Sequence, residues 1–362
     1  MVKTINANPH RIRAAWQGRI SGCILGKPLE VLSFREGREG LTSYLEGAGA
    51  LPLCDYVPAV VGTLVERLGQ NCCAGYIERA EPDDDINYTL LALLLLEQHG
   101  SELSTEDVAR AWLNYLPGGT TWTAERAAYR TLLNRMDDEF VNGAAPGFDL
   151  AECSDHNYKE WIGAQIRADL YGWVCPGRPE LAADLATRDA ALSHRGEGVN
   201  GAAFIAALGA AIPATTDIDE ALDIALHCIP ASSAAAEAVL FASKLGNTSD
   251  AIDQLHRKFD DLSPVHTLNN LAVVVWALHT FRGDFTAAIC NAVMAGWDTD
   301  CNGATVGGLM GLAGAAIDEH WTRPWRGRIG TNLAGVGETT IDDVVARTLA
   351  VAEHLMPAPN QT

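Results

Sequence analysis

A long series of helical segments, bounded by helix-breaking residues, is the feature that most restricts how this 362-residue chain can fold. Alanine and leucine recur at the spacing of an α-helix through most of the sequence. The segments with this spacing are 87–98, 105–115, 122–136, 200–212, 218–228, 233–244, 267–282, 285–295, 303–318 and 341–355. Proline and glycine separate them, at Pro117-Gly118-Gly119, Pro146-Gly147, Pro176-Gly177, Pro213, Pro230 and Pro264. The pattern predicts an all-α protein of ten or more helices.

The prediction of a single domain follows from the same pattern. Runs of alternating β-branched residues are scarce, and only residues 56–64 (YVPAVVGTL) are compatible with either a short strand or another helix. Helix-capping sequences begin at Ser104 and at Thr215, ahead of two of the apolar segments. There is no low-complexity linker and no clean repeat. We therefore expect one compact all-helical domain over residues 1–356, followed by a disordered tail at 357–362.

Charge and composition exclude several classes of function. The formal net charge of −20 argues against a general nucleic-acid partner, which needs a basic surface, and against anionic membrane surfaces. The N-terminus lacks the apolar stretch of a signal peptide, and no uninterrupted apolar run approaches the roughly 20 residues that span a bilayer. The nine cysteines are irregularly spaced without a CxxC pair, which is typical of free thiols. We expect a cytoplasmic protein.

Three consecutive aspartates, Asp83, Asp84 and Asp85, stand directly before the apolar run TLLALLLLEQ. One aspartate at a helix N-terminus accepts a backbone hydrogen bond and stabilises the helix by about 1 kcal/mol. Capping does not account for three, because two unit charges at about 4 Å repel by roughly 1 kcal/mol in water and about 4 kcal/mol near a protein surface. The triplet therefore either turns outward to solvent or faces a cation, and this segment alone leaves both alternatives open.

A second acidic pair, Asp298 and Asp300, precedes the glycine-rich segment GATVGGLMGLAGAAI. Its glycines allow another backbone to approach closely, so we expect a buried helix whose acids need cations. Lysine and arginine are sparse near both clusters in sequence, which favours a divalent metal. Carboxylates without nearby histidine suit Mg²⁺, Ca²⁺ or Mn²⁺ rather than zinc. Five acids exceed what one Mg²⁺ recruits from protein, so the pattern predicts two ions that share bridging carboxylates.

Three motifs give the sequence a family resemblance. Gly22–Glu30 (GCILGKPLE) is similar to a G-D-x-x-G-x-x-x-E pattern, Asp83–Ile86 to T-D-D-T, and Gly296–Cys301 (GWDTDC) to G-G-D-T-D-T. Weaker similarities lie between them, at Gly163–Arg167 and Ser193-His194. Over residues 11–318 the chain thus resembles the ADP-ribosylglycohydrolase family, also called the dinitrogenase-reductase-activating glycohydrolase family.

The resemblance implies an all-α fold, two Mg²⁺ or Mn²⁺ ions, and hydrolysis of a glycosidic bond at C1 of ribose in an ADP-ribosyl conjugate. The metal ligands that it implies are Asp83, Asp84, Asp85, Asp298, Asp300 and Cys301. It also implies that Glu30 assists proton transfer as a catalytic carboxylate, and Asp85 is a candidate for both ligand and base. The implied partner is a small ribosyl substrate or an ADP-ribosylated protein.

Four departures from the family pattern bear on the metal and the substrate. Asp83 and Cys301 stand where the family has threonine, Cys23 replaces an aspartate, and Arg167-Ala168-Asp169 does not continue like the family's substrate-contacting segment. A neutral thiol is a poor ligand for Mg²⁺, so Asn302 or water supplies the oxygen, the ligand is lost, or Mn²⁺ is preferred.

These departures keep two other functions open. An N-ribosyl hydrolase of a nucleoside or another small riboside is one alternative, and a non-catalytic protein that binds a ribosyl ligand is the second. The residues expected at the substrate are Arg167, Asp169, His194, Trp297 and Asn302. Arg167 contacts a phosphate or pairs with Asp169, and Trp297 is expected to stack on a base or sugar.

Overall fold

The structure, a computed structural model, describes residues 3–356. The α-helices of this part of the chain are α1 (Pro9–Gly47), α2 (Leu64–Gly69), α3 (Asp84–His99), α4 (Thr105–Tyr115), α5 (Thr123–Arg135), α6 (Asp169–Trp173), α7 (Pro179–Ala190), α8 (Glu197–Ala211), α9 (Ile218–Leu226), α10 (Ala234–Ala242), α11 (Ala251–Lys258), α12 (Thr267–Thr280), α13 (Phe285–Met294), α14 (Thr299–Ala313), α15 (Glu319–Thr322) and α16 (Ile341–His354). Short 3₁₀ turns connect several of them, and one of these turns spans Ile162–Arg167. The two strands, β1 (Arg328–Gly330) and β2 (Glu338–Thr340), form an antiparallel hairpin with Ile329 opposite Thr339.

The centre of the fold is the close crossing of α1 and α14. Gly18, Gly22 and Gly26 recur at every fourth residue of α1 and lie against the backbone of α14. A Cβ atom on Gly22 would lie 1.9 Å from the carbonyl oxygen of Gly303, and one on Gly307 would lie 2.1 Å from that of Gly18. Glycine is therefore required on both helices. The structure confirms that the glycine-rich helix is buried against another backbone, and it identifies α1 as the partner.

The remaining helices enclose this pair. Helices α12 and α13 pack on α14, whereas α16 packs on α1, where the indole N–H of Trp16 donates to Thr348 Oγ1 at 3.0 Å. On the other side, α8 packs against α6, α7 and α9, and Trp173 of α6 meets Trp16 edge to face with ring centroids 5.3 Å apart. The core is thus continuous from α16 through α1 to α8.

The all-α prediction is confirmed, with helices in each of the ten predicted segments and the capping box at Ser104 present. Helices α1, α2, α6, α7, α11 and α15 were not predicted, and residues 56–60 form neither strand nor helix. The predicted segment 303–318 begins earlier and ends at Ala313, because Gly314 adopts the left-handed conformation with φ of 91°. The predicted tail at 357–362 lies outside the described residues.

Two further sequence expectations can be compared with the structure. All nine cysteines are unpaired, as expected. One segment, Glu197–Ala214, has the length and apolar composition to cross a membrane, but 72% of it is buried inside the protein. Burial of this kind is typical of a core helix.

Candidate metal centre

The starts of α3 and α14 and the middle of α1 bring the predicted acids together. Asp83 caps α3, and its Oδ1 accepts a hydrogen bond from the backbone N–H of Asp85 at 3.0 Å. Asp298 stands at the start of α14 and, unlike Asp83, makes no capping hydrogen bond with its side chain. Helix α1 crosses this end of α14, where Thr299 Oγ1 donates to the carbonyl oxygen of Gly26 at 2.8 Å. The crossing places Glu30, one turn further along α1, beside the acids of α14.

The side-chain oxygens and sulfurs of this cluster form three overlapping groups. One group joins Glu30, Asp298 and Asp300, and a second joins Asp85, Asp300 and Cys301, with all ligand atoms in each group within 4.8 Å of one another. Asp300 belongs to both. The third group, within the same distance, consists of Cys23, Asp83 and Asp85. Asp84 lines the same cleft as Glu30, Asp298 and Cys301. We call the six carboxylates of Glu30, Asp83, Asp84, Asp85, Asp298 and Asp300 the acid cluster.

The acid cluster is buried and incompletely hydrogen-bonded. Asp85, Asp298 and Asp300 are 0%, 4% and 2% exposed. Within the described residues, Asp85 Oδ2 and Asp298 Oδ1 have no hydrogen-bond partner. Buried polar atoms normally have one, so these two oxygens, on residues grouped with other carboxylates, are available to a ligand. Oxygen donors of this kind are the ligands that Mg²⁺ and Mn²⁺ take in proteins, so the residues present fit a divalent ion.

Burial also raises the pKa values of these acids. The pKa of Asp85 and that of Asp298 lie well above the usual range, chiefly because burial penalises the charged form and because neighbouring acids repel. Burial likewise raises the pKa of Asp84 to about 6. Without a cation, the cluster therefore takes up protons readily, and a divalent ion would displace them.

The expectation that basic side chains would be scarce around the acids is wrong. Lys27, on α1, makes an ion pair with Asp83 Oδ2. Arg19, also on α1 and fully buried, donates from Nη1 to Asp169 Oδ2 at 2.9 Å and from Nη2 to Asp85 Oδ1 at 3.1 Å. Positions 19, 23, 27 and 30 lie at helical spacing, so one face of α1 presents both bases to the acids. Recognising α1 as a helix would have revealed them.

A cleft opens onto the acid cluster. Its floor includes Glu30, Asp84, Asp298 and Cys301, and its walls come from the start of α5 and from residues 161–166. Trp122, Trp161 and Phe34 supply aromatic surface, and Trp122 is 60% exposed. The sequence indicated none of these three as cleft residues. Glu125, also unpredicted, reaches the cleft wall from α5.

Comparison with known proteins identifies the family. Residues 5–355 match the family described as ADP-ribosylglycohydrolase. The chain belongs to the ADP-ribosylglycohydrolase family. Its fold is similar to that of a solved structure described as an "ADP-ribosylglycohydrolase-related protein complex", with a TM-score of 0.51 and 18% sequence identity. That similarity covers 96% of this chain and 99% of the other. The sequence matches none of the curated proteins.

Membership of the ADP-ribosylglycohydrolase family directs attention to Arg167 and Asp169, the predicted substrate contacts. The predicted pairing between them is wrong. Arg167 is buried and bonds Glu125 Oε1 at 2.8 Å and Asp189 Oδ1 at 3.0 Å, whereas Asp169 pairs with Arg19. The remaining donors of Arg167 bond the carbonyl oxygens of Gly163 and Asp189 and the hydroxyl of Ser193. All five N–H groups are therefore used, and none is available to a phosphate.

The other predicted substrate contacts of this family member also have partners inside the protein. His194 is fully buried, and its Nδ1 lies 2.8 Å from Ser193 Oγ. Trp297 stacks on His256 with ring centroids 4.1 Å apart. The Asn302 amide donates to Asn270 Oδ1 at 2.8 Å. None of the three lines the cleft described above. Their predicted contacts with substrate stay predictions.

Proposed function

We propose that the protein is a divalent-metal-dependent hydrolase that cleaves a glycosidic bond at C1 of ribose. Family membership supports a glycohydrolase. The observation that carries the proposal is the pair of buried oxygens without partners, Asp85 Oδ2 and Asp298 Oδ1, on residues that group with Asp300 and of which Asp298 lies at the floor of the cleft. The same two oxygens, on residues grouped with other carboxylates, favour a bound cation over a purely structural role.

The residues that would hold the ion are Asp300, which two of the groups share, together with Asp298, Asp85 and Cys301. A bound Mg²⁺ or Mn²⁺ supplies a positioned water with a lowered pKa. The carboxylates that face the cleft stabilise the positive charge that develops on the ribose as the bond breaks. Cys301 is a weak donor for Mg²⁺, because burial raises the pKa of its thiol well above the usual value. We therefore expect Mn²⁺ to support higher activity.

Glu30 is the residue placed to move a proton. It is half-buried at the cleft, on α1, and belongs to the same group of atoms as Asp298 and Asp300. Burial, together with the charges of Asp300 and Asp84, raises its pKa well above the ordinary value. A carboxyl group of this kind retains a proton that it can donate to the leaving group.

The cleft favours a substrate without a free diphosphate. Among the described residues that line it, none is lysine, arginine or histidine, and Glu125 adds a further acid to its wall. A diphosphate needs cationic partners, whereas a neutral or cationic aglycone can stack on Trp122 or Trp161. ADP-ribosyl conjugates remain the first candidates by family. The composition of the cleft favours the second candidate, a nucleoside or another small N-riboside.

Hydrolysis assays separate these candidates. The protein is incubated with Mg²⁺ or Mn²⁺ and either ADP-ribosyl-arginine or a panel of nucleosides, and released ADP-ribose or ribose is measured by chromatography. We expect metal-dependent release that Asp300→Ala and a chelator abolish, while the exposed control variant Asp260→Ala keeps full activity. Release that persists in Asp300→Ala and with chelator would contradict the metal mechanism. Absence of release from every substrate would favour the ligand-binding alternative.

A further inference from the structure

We propose that the ammonium group of Lys27 permanently occupies one of the cation positions of the acid cluster, so that the centre binds one exchangeable divalent ion rather than two. The inference refines the proposed function and rests on it. It departs from the expectation of two ions, and it depends on a residue of this chain that lies inside the motif GCILGKPLE.

Lys27 is placed as a cation among carboxylates. Its Nζ makes an ion pair with Asp83 Oδ2, and its side chain, 29% exposed, extends from the face of α1 that also carries Cys23 and Glu30. The ammonium group therefore receives the attraction of the carboxylate that a metal ion would receive.

The oxygens around Lys27 are already committed to partners in the protein. Asp83 uses Oδ1 to cap α3 and Oδ2 to bind Lys27. Asp85 Oδ1 accepts from Arg19 at 3.1 Å. A metal ion at this side of the cluster would have to displace the lysine and would be repelled by both bases. Lys27 lies away from the cleft, at a separate surface depression with Glu66 and Glu81.

The oxygens that remain describe one ion position at the cleft. Asp85 Oδ2 and Asp298 Oδ1 have no partner among the described residues. Asp85 and Asp298 belong to the two groups of residues that share Asp300, and Glu30, Asp298 and Cys301 of those groups line the cleft. Because both groups include Asp300, an ion bound to Asp300 lies next to the residues of both. The free oxygen of Asp298 therefore lies on a residue of the cleft, and that of Asp85 lies in a group with Cys301 of the cleft, whereas the committed oxygens lie with Lys27.

Mn²⁺ binding to the full-length protein tests the proposal without reference to activity. Isothermal titration and metal analysis give the number of Mn²⁺ ions per chain, and electron paramagnetic resonance distinguishes an isolated ion from a coupled pair. We expect one uncoupled Mn²⁺ in the wild-type protein and in Lys244→Met, a control at an exposed lysine. In Lys27→Met we expect two Mn²⁺ ions per chain and a spectrum with Mn–Mn coupling.

Two Mn²⁺ ions per wild-type chain would overturn the inference while leaving the proposed metal-dependent function intact. A folded Lys27→Met protein that still binds one ion would overturn it as well. If Lys27→Met fails to fold, the wild-type stoichiometry and spectrum alone decide between one ion and two. Absence of any Mn²⁺ binding would contradict both the inference and the proposed function.

Discussion

Two buried clusters of charge in this protein differ in how completely they are neutralised. In the first, which we call the arginine cluster, Arg167 bonds Glu125, Asp189 and Ser193, and each of its five N–H groups has an acceptor. In the acid cluster, six carboxylates meet only Lys27 and Arg19 among the basic side chains that the structure describes there. The arginine cluster is complete as folded, whereas the acid cluster has more carboxylates than basic partners.

The two clusters also occupy different positions relative to the cleft. Arg167 is 2% exposed behind the cleft wall, and only its partner Glu125 reaches the cleft. The acid cluster opens directly onto the cleft through Glu30 and Asp84. A buried, satisfied ion network serves the fold, and a buried, unsatisfied one at an opening is typical of a functional site. Removing one charge should therefore have opposite effects in the two clusters.

The largest effect is expected from Asp300→Asn. Since even outer partners of metal ligands contribute 10- to 100-fold, loss of the shared carboxylate should lower hydrolysis by more than about 100-fold. Two charges at about 4 Å in a protein repel by about 4 kcal/mol, so the metal-free variant should be as stable as the wild type or more stable by up to that amount. Assays of hydrolysis and denaturant unfolding in the presence of chelator measure the two quantities.

Metal-induced stabilisation supplies the control for that variant. Mn²⁺ at 100 times its dissociation constant should raise the free energy of unfolding of the wild type by about 2.7 kcal/mol. Asp300→Asn should lose this increase, and Asp260→Asn, at an exposed site, should keep it. A metal-free Asp300→Asn protein that is markedly less stable than the wild type would mean that the acid cluster is as complete as the arginine cluster.

Glu30→Gln should separate cation binding from chemistry within the acid cluster. The amide keeps one oxygen donor but cannot donate a carboxyl proton, so we expect Mn²⁺ binding to remain while turnover falls about 100- to 10,000-fold. Titration of Mn²⁺ and steady-state kinetics on the same preparation check this. Wild-type turnover in Glu30→Gln would rule out Glu30 as the proton donor.

Arg167→Met should have the largest effect on stability. Removing one partner of a buried ion network leaves uncompensated charge, which costs about 3–5 kcal/mol. Because Glu125 and Asp189 would both lose their cation, the variant should unfold at lower denaturant concentration, and Mn²⁺ should still bind if it folds. Arg130→Met, at an exposed arginine, is the matched control. A change below about 1 kcal/mol, the ordinary value for exposed ion pairs, would show that Arg167 is not structurally required.

The sequence predicted helices where apolar and polar residues alternate at helical spacing. It did not predict α1, the central helix of the fold. Helix α1 contains Gly18, Gly22, Gly26 and Pro28, which lower helix propensity, and it is buried along much of its length, so no apolar stripe marks it. Its stability comes from contact with α14, which is a long-range property. The local sequence pattern likewise did not predict the β1–β2 hairpin or the helices α2, α6, α7, α11 and α15.

The acids of the candidate site were predictable because several carboxylates at helix starts are locally unusual. Their neutralisation was not predictable in the same way, because Arg19 and Lys27 come from α1, far away in sequence. The substrate contacts were harder still. Trp122 and Trp161 have ordinary neighbours in the sequence, and Arg167 acquires its partners Glu125 and Asp189 only through folding.

The last prediction concerns pH and the arginine cluster. Burial raises the pKa of Glu125 to about 7 from an ordinary value of 4.5, although Arg167 acts in the opposite direction. The folded protein therefore binds this proton more tightly than the unfolded chain does. The stabilisation that this proton on Glu125 provides is complete below about pH 4.5, declines as the pH rises, and is lost above about pH 7.

Glu125→Gln has no proton to lose, so the free energy of unfolding of the variant relative to the wild type should rise by about 3 kcal/mol between pH 4.5 and pH 8. His194 Nε2 lies 3.8 Å from Glu125 Oε1, and burial lowers the pKa of His194. The contribution of His194 to stability therefore changes with pH in the opposite direction. Both proteins retain His194, so the difference between them removes its contribution. Denaturant unfolding at several pH values, with chelator present to keep the acid cluster metal-free, measures that difference. If the difference in unfolding free energy stays constant across this range, Glu125 is ionised in the folded state even at low pH. Arg167 would then offset the effect of burial on the pKa of Glu125.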